Sequence, residues 1–124
     1  MKSLGSFVLA ILTLTACGGG GEPTGAVCPS TDPPTYANFG EAFFTKYCTT
    51  CHAAATRNRH DAPGDQNYDS EADILRHAAD IDAEAAAGPA ATNTSMPELG
   101  GGVTAAPTEA ERQRLGAYLA CLQQ

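Results

Sequence analysis

Hydrophobic residues recur with a helical period in three separate stretches of this chain. Over about residues 38–47, Phe39, Phe43 and Tyr47 recur every four residues, so their side chains share one face of a helix. A second stretch, about residues 71–87, and a C-terminal stretch carry the same pattern. The predicted buried faces are Ile74, Ala78, Ile81 and Ala85 in the second helix, and Leu115, Tyr118, Leu119 and Leu122 in the third.

Polar residues at the ends of these stretches support the helix boundaries. Ser70 precedes the second helix and can form a capping box with Asp73, and Thr108 and Glu111 stand in the same relation at the start of the third. Gly88-Pro89 is expected to end the second helix. Since no stretch alternates apolar and polar residues long enough for a strand, the predicted fold class is all-α, with three or more helices.

The N-terminus has the organisation of an export signal. Lys2 precedes a short apolar run over residues 7–14, and small residues lead from there to Cys17. The run is far shorter than the roughly 20 residues that span a bilayer. Leu14-Thr15-Ala16-Cys17 resembles a bacterial lipobox, in which the peptide bond before the cysteine is cut and its thiol receives lipid. The alternative is an ordinary signal peptide with a chance cysteine.

The chain is therefore predicted to consist of three regions. Residues 1–16 are predicted to be a lipoprotein signal peptide, and residues 17–35, rich in Gly, Pro, Ser and Thr, a flexible tether. Residues 36–124 are predicted to form one domain. Its helices are short and rich in alanine. A domain of this size is therefore only marginally stable unless a covalent cross-link or a large apolar cofactor supports its core.

The charge balance restricts the choice of partners. Seven Lys and Arg face fourteen Asp and Glu, a formal net charge of −7. Such an acidic chain does not seek nucleic acid or anionic lipid headgroups by charge. Its protein partners are expected to present basic or apolar patches. Attachment to a membrane would then depend on lipid at Cys17, on the periplasmic side of the inner or outer membrane.

The strongest chemical signal is Cys48-Thr49-Thr50-Cys51-His52, the C-x-x-C-H pattern of covalent haem attachment. Two cysteines three residues apart on a helical turn direct their sulfurs to one side, where they can bond the two vinyl groups of a porphyrin. The next residue, His52, can then bind the iron. A thioredoxin-like pair requires a βαβ context, and a zinc site requires four ligands, and the sequence offers neither.

Around this motif, residues 36–124 resemble the small class I cytochromes c. In that family an N-terminal helix leads into C-x-x-C-H, a later loop supplies an axial methionine, and a C-terminal helix crosses the first. The helix at 38–47 matches the first of these features, Met96-Pro97 matches the methionine loop, and residues 115–119 are similar to the last helix. The resemblance implies one covalent haem c.

Further expectations come with the resemblance. The family pattern implies Met96 as the sixth ligand of the iron and the carbonyl of Pro63 as acceptor of a hydrogen bond from the His52 imidazole. Gly40 and Gly116 would allow two helices to approach closely. The segment 53–69, however, lacks the glycine-rich pattern of many members. Apart from Lys2, which export removes, Lys46 is the only lysine, so no particular partner is implied.

The residues themselves offer few other candidates for the sixth ligand. Met1 is removed with the signal peptide, which leaves Met96 as the one thioether. His60 lies in a polar stretch and is expected to be solvated. His77 follows Ile74 by three residues and precedes Ile81 by four, a spacing that favours an inward position. It is then either a partly buried histidine bonded to a propionate or a carbonyl, or the alternative sixth ligand.

The remaining cysteines complete the assignment. With Cys17 assigned to lipid and two cysteines to haem, Cys28 and Cys121 are left to form a disulfide in an oxidising compartment. Two free thiols are the alternative, because sequence does not define the Cα separation.

The predicted function is single-electron transfer by one haem c with His52 and Met96 as axial ligands, and not enzymatic turnover. The alternative is a five-coordinate or bis-histidine haem protein that binds a gas or peroxide as a sensor or an enzyme. Carbon monoxide binding by the reduced protein distinguishes the five-coordinate form.

Overall fold

The computed structural model describes residues 20–124, and the elements it contains are helical. The predicted signal peptide, residues 1–16, and the predicted lipidation site, Cys17, lie outside the described residues. Within residues 20–124 the only β-type pairings are two isolated bridges, so the all-α class is confirmed for this part of the chain. The elements are a π-helical turn, Tyr36–Gly40, and four α-helices: α1 (Glu41–Tyr47), α2 (Glu71–Arg76), α3 (Ala78–Ala85) and α4 (Glu109–Leu122).

The first helical segment begins two residues earlier than the apolar pattern indicates. Thr35 is its N-cap: the Thr35 hydroxyl accepts from the Asn38 amide (3.1 Å), and the Asn38 side chain accepts from the Thr35 amide (2.7 Å). This capping box satisfies amides that would otherwise be unpaired. The chain then runs through the π-helical turn into α1 without a break.

The second predicted helix is divided into two. His77 leaves the helical conformation (φ −112°, ψ 16°), so α2 ends at Arg76 and α3 begins at Ala78. The His77 Nε2 atom lies 3.2 Å from the carbonyl oxygen of Asp65, a contact outside both helices. The segment ends at Ala85, before Gly88-Pro89, because Ala86 is already extended.

The predicted caps are confirmed at α4 and in part at α2. At α4 the Thr108 hydroxyl accepts from the Glu111 amide, and the Glu111 carboxylate accepts from the Thr108 amide (2.8 Å). At α2 the Ser70 hydroxyl accepts from the Asp73 amide (3.2 Å) but donates to the Asp73 carboxylate (2.6 Å). The reciprocal bond of a capping box is therefore replaced by a bond between the two side chains.

The core lies where the π-helical turn and α1 pack against α4. A Cβ atom on Gly40 would come within 2.8 Å of the Tyr118 ring, so the absence of a side chain there allows the predicted close approach. A Cβ atom on Gly116 would come within 2.5 Å of the Ala87 carbonyl oxygen, so this glycine allows the chain after α3 to approach α4 closely. The predicted apolar faces are buried except for Phe39 and Leu122, which are partly buried against the core. The core cluster comprises Phe43, Phe44, Tyr47, Tyr68, Ile74, Ala78, Ile81, Ala85, Ala86, Val103, Leu115, Tyr118 and Leu119.

The described part of the predicted tether is packed on the domain, which corrects the expectation of a flexible segment over residues 17–35. We call residues 21–35 the strap. Thr24 is buried, and its amide (2.8 Å) and hydroxyl (2.6 Å) both donate to the carboxylate of Asp82. The side-chain amide of Asn93 donates to the carbonyl of Glu22 (2.7 Å). Composition alone does not reveal these bonds, because their partners lie about 60 to 70 residues away in the chain.

A disulfide between Cys28 and Cys121 joins the strap to α4, as the sequence analysis predicts. The two Cα atoms lie 4.6 Å apart, within the range that a disulfide requires. Among residues 20–124, no helix has both the length and the apolar character to cross a membrane.

Candidate functional site

The C-x-x-C-H motif continues the chain directly from the end of α1. The amides of Cys51 and His52 both donate to the carbonyl of Cys48 (3.1 and 2.9 Å), so the motif forms one more helical turn. Both motif cysteines are free and half-buried, and His52 is 9% exposed. The turn therefore brings two thiols and an imidazole together at the edge of the core.

The Cys48 thiol is in an apolar setting. Burial, with a smaller contribution from the neighbouring Cys51, raises the pKa of this thiol to about 12. It is therefore a protonated thiol at neutral pH. A redox-active C-x-x-C pair depends on a thiol with a lowered pKa, so this environment does not favour that alternative.

His52 is oriented by a backbone carbonyl. Its Nδ1 atom lies 3.0 Å from the carbonyl oxygen of Gln66. A carbonyl only accepts, so Nδ1 carries the proton and Nε2 is left with a lone pair for a metal. Burial lowers the pKa of His52, with the Gln66 bond opposing, which favours the neutral ring that acts as a ligand.

The predicted role of Pro63 is corrected by this geometry. The Pro63 carbonyl accepts from the Arg59 guanidinium (2.7 Å) and from the Gln66 amide (3.1 Å) instead of the imidazole. The turn from Pro63 to Gln66 directs the Pro63 carbonyl into its own loop and presents the carbonyl three residues later to His52. The expected kind of hydrogen bond is present, and its acceptor is the carbonyl of Gln66.

Two residues around His52 were not predicted from the sequence. Tyr68 stacks on the imidazole with ring centroids 4.6 Å apart, and its amide donates to the His52 carbonyl (2.7 Å). Arg59 donates to the same Gln66 carbonyl that His52 uses (3.0 Å). Neither residue belongs to a motif. Only the aromatic character of Tyr68 in an otherwise polar stretch is a signal in the sequence.

Met96 is held through its backbone. Its amide donates to the carbonyl of Glu84 (2.9 Å), and its carbonyl accepts from the buried guanidinium of Arg112 (2.8 Å). The same Arg112 nitrogen also donates to the carbonyls of Ala85 and Asn93 (2.7 and 2.9 Å), which ties the methionine loop to the end of α3. The Met96 side chain is partly buried and, like that of Cys48, packs against the core cluster.

The two other histidines differ in their surroundings. His60 is exposed, with a positive φ of 49°, as its polar neighbours led us to expect. His77 has a side chain that is only 13% exposed. Its Nε2 atom contacts the Asp65 carbonyl at 3.2 Å, and its Nδ1 atom lies 3.8 Å from the Asp80 carboxylate. The Nε2 atom of His77 therefore has a hydrogen-bond partner within the protein, and its Nδ1 atom is beyond hydrogen-bond distance of the Asp80 carboxylate.

The side chains at the motif are of the kinds that a covalent haem uses, two thiols for the porphyrin and one imidazole for the iron. Within residues 20–124, no three His, Cys, Asp or Glu side chains converge as a metal-ion site requires. A porphyrin supplies four of the iron ligands itself, so the protein need supply only the imidazole and at most one more. Two surface hollows include none of the motif residues. One, of about 220 Å³, lies between the strap and α4, and the other, of about 390 Å³, lies between α1 and α4.

Comparisons with known proteins add no identification. No family model matches the chain, and neither a curated protein nor a solved structure gave a match. Any functional assignment therefore depends on the residues described above.

Proposed function

We propose that this chain is an exported, lipid-anchored c-type cytochrome that carries one covalent haem and transfers single electrons. One observation carries the proposal: the C-x-x-C-H turn presents two free thiols beside an imidazole whose Nδ1 atom is already bonded to the Gln66 carbonyl. That arrangement leaves Nε2 of His52 as the ligand nitrogen. The haem supplies an iron that cycles between Fe(II) and Fe(III).

The helix order supports the class I cytochrome c-like assignment within this proposal. A helical segment from Tyr36 to Tyr47 leads into the motif and packs against α4 at the Gly40–Tyr118 contact. Met96 follows in a later loop. In the proposed protein, Cys48 and Cys51 form the two thioether bonds with the porphyrin. This attachment prevents loss of the cofactor outside the cytoplasm.

Met96 is the proposed sixth ligand, and the histidine environment supports this choice. The alternative, His77, would have to release its contact with the Asp65 carbonyl before its Nε2 atom could bind iron. A thioether is a soft donor that favours Fe(II) and so gives a higher potential than a second imidazole. With both axial positions filled, the iron has no open position for substrate, which is why we propose electron transfer and not enzymatic turnover.

The partners and location form part of the same proposal. Lipid on Cys17 would hold the protein at the periplasmic face of a membrane, and redox proteins with basic or apolar patches would dock on its acidic surface. No nucleic acid partner is proposed.

The test is covalent haem on protein matured in a host that assembles c-type cytochromes. The wild-type band on a denaturing gel should retain haem, and the Cys48→Ser/Cys51→Ser variant should lose it. Cys28→Ser/Cys121→Ser is the matched control, because it also removes two cysteines and should keep the haem. A wild-type band without haem would refute the proposal.

A further inference from the structure

We propose that Arg59 is a positioning residue that raises the reduction potential of the haem by acting on His52 through the carbonyl of Gln66. This inference rests on the proposed function, because it assumes that His52 is the iron ligand. It adds a determinant of the potential that no motif in the sequence indicates.

The guanidinium of Arg59 has all five of its N–H donors engaged. A guanidinium carries five such donors in a fixed plane, so full pairing holds it in one position. Four acceptors are backbone carbonyls of the loop that follows the motif, and the fifth is a side-chain amide. They are the oxygens of Ala53 (2.9 Å), Ala62 (3.3 Å), Pro63 (2.7 Å), Gln66 (3.0 Å) and the Asn67 side chain (2.9 Å).

The carbonyl of Gln66 is the point of contact between the two residues. It accepts from the Nδ1 atom of His52 at 3.0 Å and from the Arg59 guanidinium at 3.0 Å. The charged donor draws electron density from the shared oxygen, which weakens its bond to the imidazole. A weaker bond at Nδ1 leaves the imidazole a poorer electron donor to the iron and so disfavours Fe(III).

The charge of Arg59 acts in the same direction. Within residues 20–124, no carboxylate lies within ion-pair distance of its guanidinium, although three ion pairs of Lys or Arg form elsewhere. A fixed positive charge close to the proximal histidine opposes the extra positive charge of the oxidised iron. Bond sharing and charge therefore both raise the potential.

Asn67 offers a test that keeps the hydrogen bonds of Arg59 in place. Asn67→Asp has nearly the same shape, keeps the oxygen that accepts from Arg59, and pairs the guanidinium with a carboxylate. It gives up only the long bond from the Asn67 side-chain amide to the Gly64 carbonyl (3.4 Å). Asn58→Asp is the matched control, since it makes the same change in the same loop on an exposed side chain whose oxygen accepts from the His60 amide and not from the Arg59 guanidinium. Midpoint potentials of the haem-loaded proteins are compared by equilibration with redox mediators.

We expect Asn67→Asp to shift the equilibrium with a mediator toward the oxidised protein by about tenfold, which corresponds to about 59 mV for one electron. Asn58→Asp should shift it much less, because an exposed charge is screened by water and salt. Arg59→Gln, which removes the charge and most of the hydrogen bonds, should lower the potential further. Arg57→Gln, an exposed arginine in the same loop, controls for the loss of one positive charge.

A second readout follows the hydrogen bond itself. The Nδ1 proton of His52 in the reduced protein should shift in the NMR spectrum of Arg59→Gln and Arg59→Lys, and remain in place in Arg57→Gln. Equal potentials in Asn67→Asp and its control, together with an unmoved Nδ1 proton in Arg59→Lys, would overturn the inference. Failure of the wild type to incorporate haem would instead refute the proposed function, so the two failures are distinct.

Discussion

The phenol of Tyr47 donates a hydrogen bond to the carboxylate of Glu111 at 3.0 Å, which joins the last residue of α1 to the first turn of α4. The same carboxylate accepts from the amide of Thr108, and the ammonium of Lys46 lies 3.4 Å away. One side chain thus caps α4 and holds the two helices together beside the motif.

This arrangement predicts a specific pH dependence of stability. The Thr108 amide is the largest of the influences that lower the pKa of Glu111, from 4.5 to about 2. A carboxylate with a lowered pKa stabilises the folded state above pH 4.5, and this contribution is lost as the pH falls toward 2. Glu111→Gln should cost on the order of 1 kcal/mol at neutral pH, the usual size of a cap interaction, and should flatten the decline below pH 4.5.

Urea unfolding between pH 2 and 7 measures this effect. Glu98→Gln, which alters an exposed carboxylate in the loop before α4, serves as the control and should keep the wild-type profile. If the free energies of unfolding of Glu111→Gln and of the wild type decline in parallel below pH 4.5, the bonds to Glu111 do not contribute to stability as described.

The disulfide leads to a second prediction. Cys28 and Cys121 are 93 residues apart in sequence, so their bond closes most of the chain into a loop. The chain-entropy model allows a stabilisation of up to about 4–5 kcal/mol for such a loop, and covalent haem, which already restricts the unfolded chain, should reduce it. Peptide mapping without reduction should recover the two cysteines as one cross-linked pair. Recovery of both as alkylatable thiols from periplasm-matured protein would contradict the assignment.

The helices and their buried faces could be predicted from the sequence because they follow from local periodicity. Ile74, Ala78, Ile81 and Ala85 are all buried, although the helix that carries them is divided. The division at His77 could not be predicted, because it accompanies a contact with the Asp65 carbonyl twelve residues earlier. Local propensity contains no information about such a contact.

The strap and the surroundings of His52 also depend on contacts that local sequence patterns do not reveal. A segment of Gly, Pro, Ser and Thr is typical of a flexible linker, and only the distant Asp82 carboxylate reveals that Thr24 is fixed. The motif residues could be named because their spacing is diagnostic. The hydrogen-bond acceptor for His52 could not be predicted, because any residue in the loop can supply a carbonyl. The acceptor is the carbonyl of Gln66 and not that of Pro63.

A third prediction concerns attachment to the membrane. Because the strap is bonded to the domain from Gly21 onward, the chain from Cys17 to Gly21 can extend at most about 14 Å. Cys17→Ser should release the protein from the membrane to the soluble periplasmic fraction. A mutant that still sediments with membranes after a high-salt wash would show that another element holds it there.

The identity of the sixth ligand is the prediction that determines what the haem does. Met96 is anchored through its backbone by Glu84 and Arg112, so Met96→Ala should leave the loop in place and remove only the thioether. If that sulfur binds iron, the oxidised wild type should show the weak red absorption band of a methionine–Fe(III) bond. The variant should lose this band, have a lower potential, and bind carbon monoxide when reduced, because a vacant position admits external ligands.

His77→Ala is the matched control: it loses the contact with Asp65, and should retain the band and the potential. A spectrum and a potential that depend on His77 but not on Met96 would instead identify a bis-histidine cytochrome. A high-spin wild type that is indifferent to both substitutions would favour a five-coordinate protein that binds gas or peroxide, since electron transfer alone does not require an open iron position.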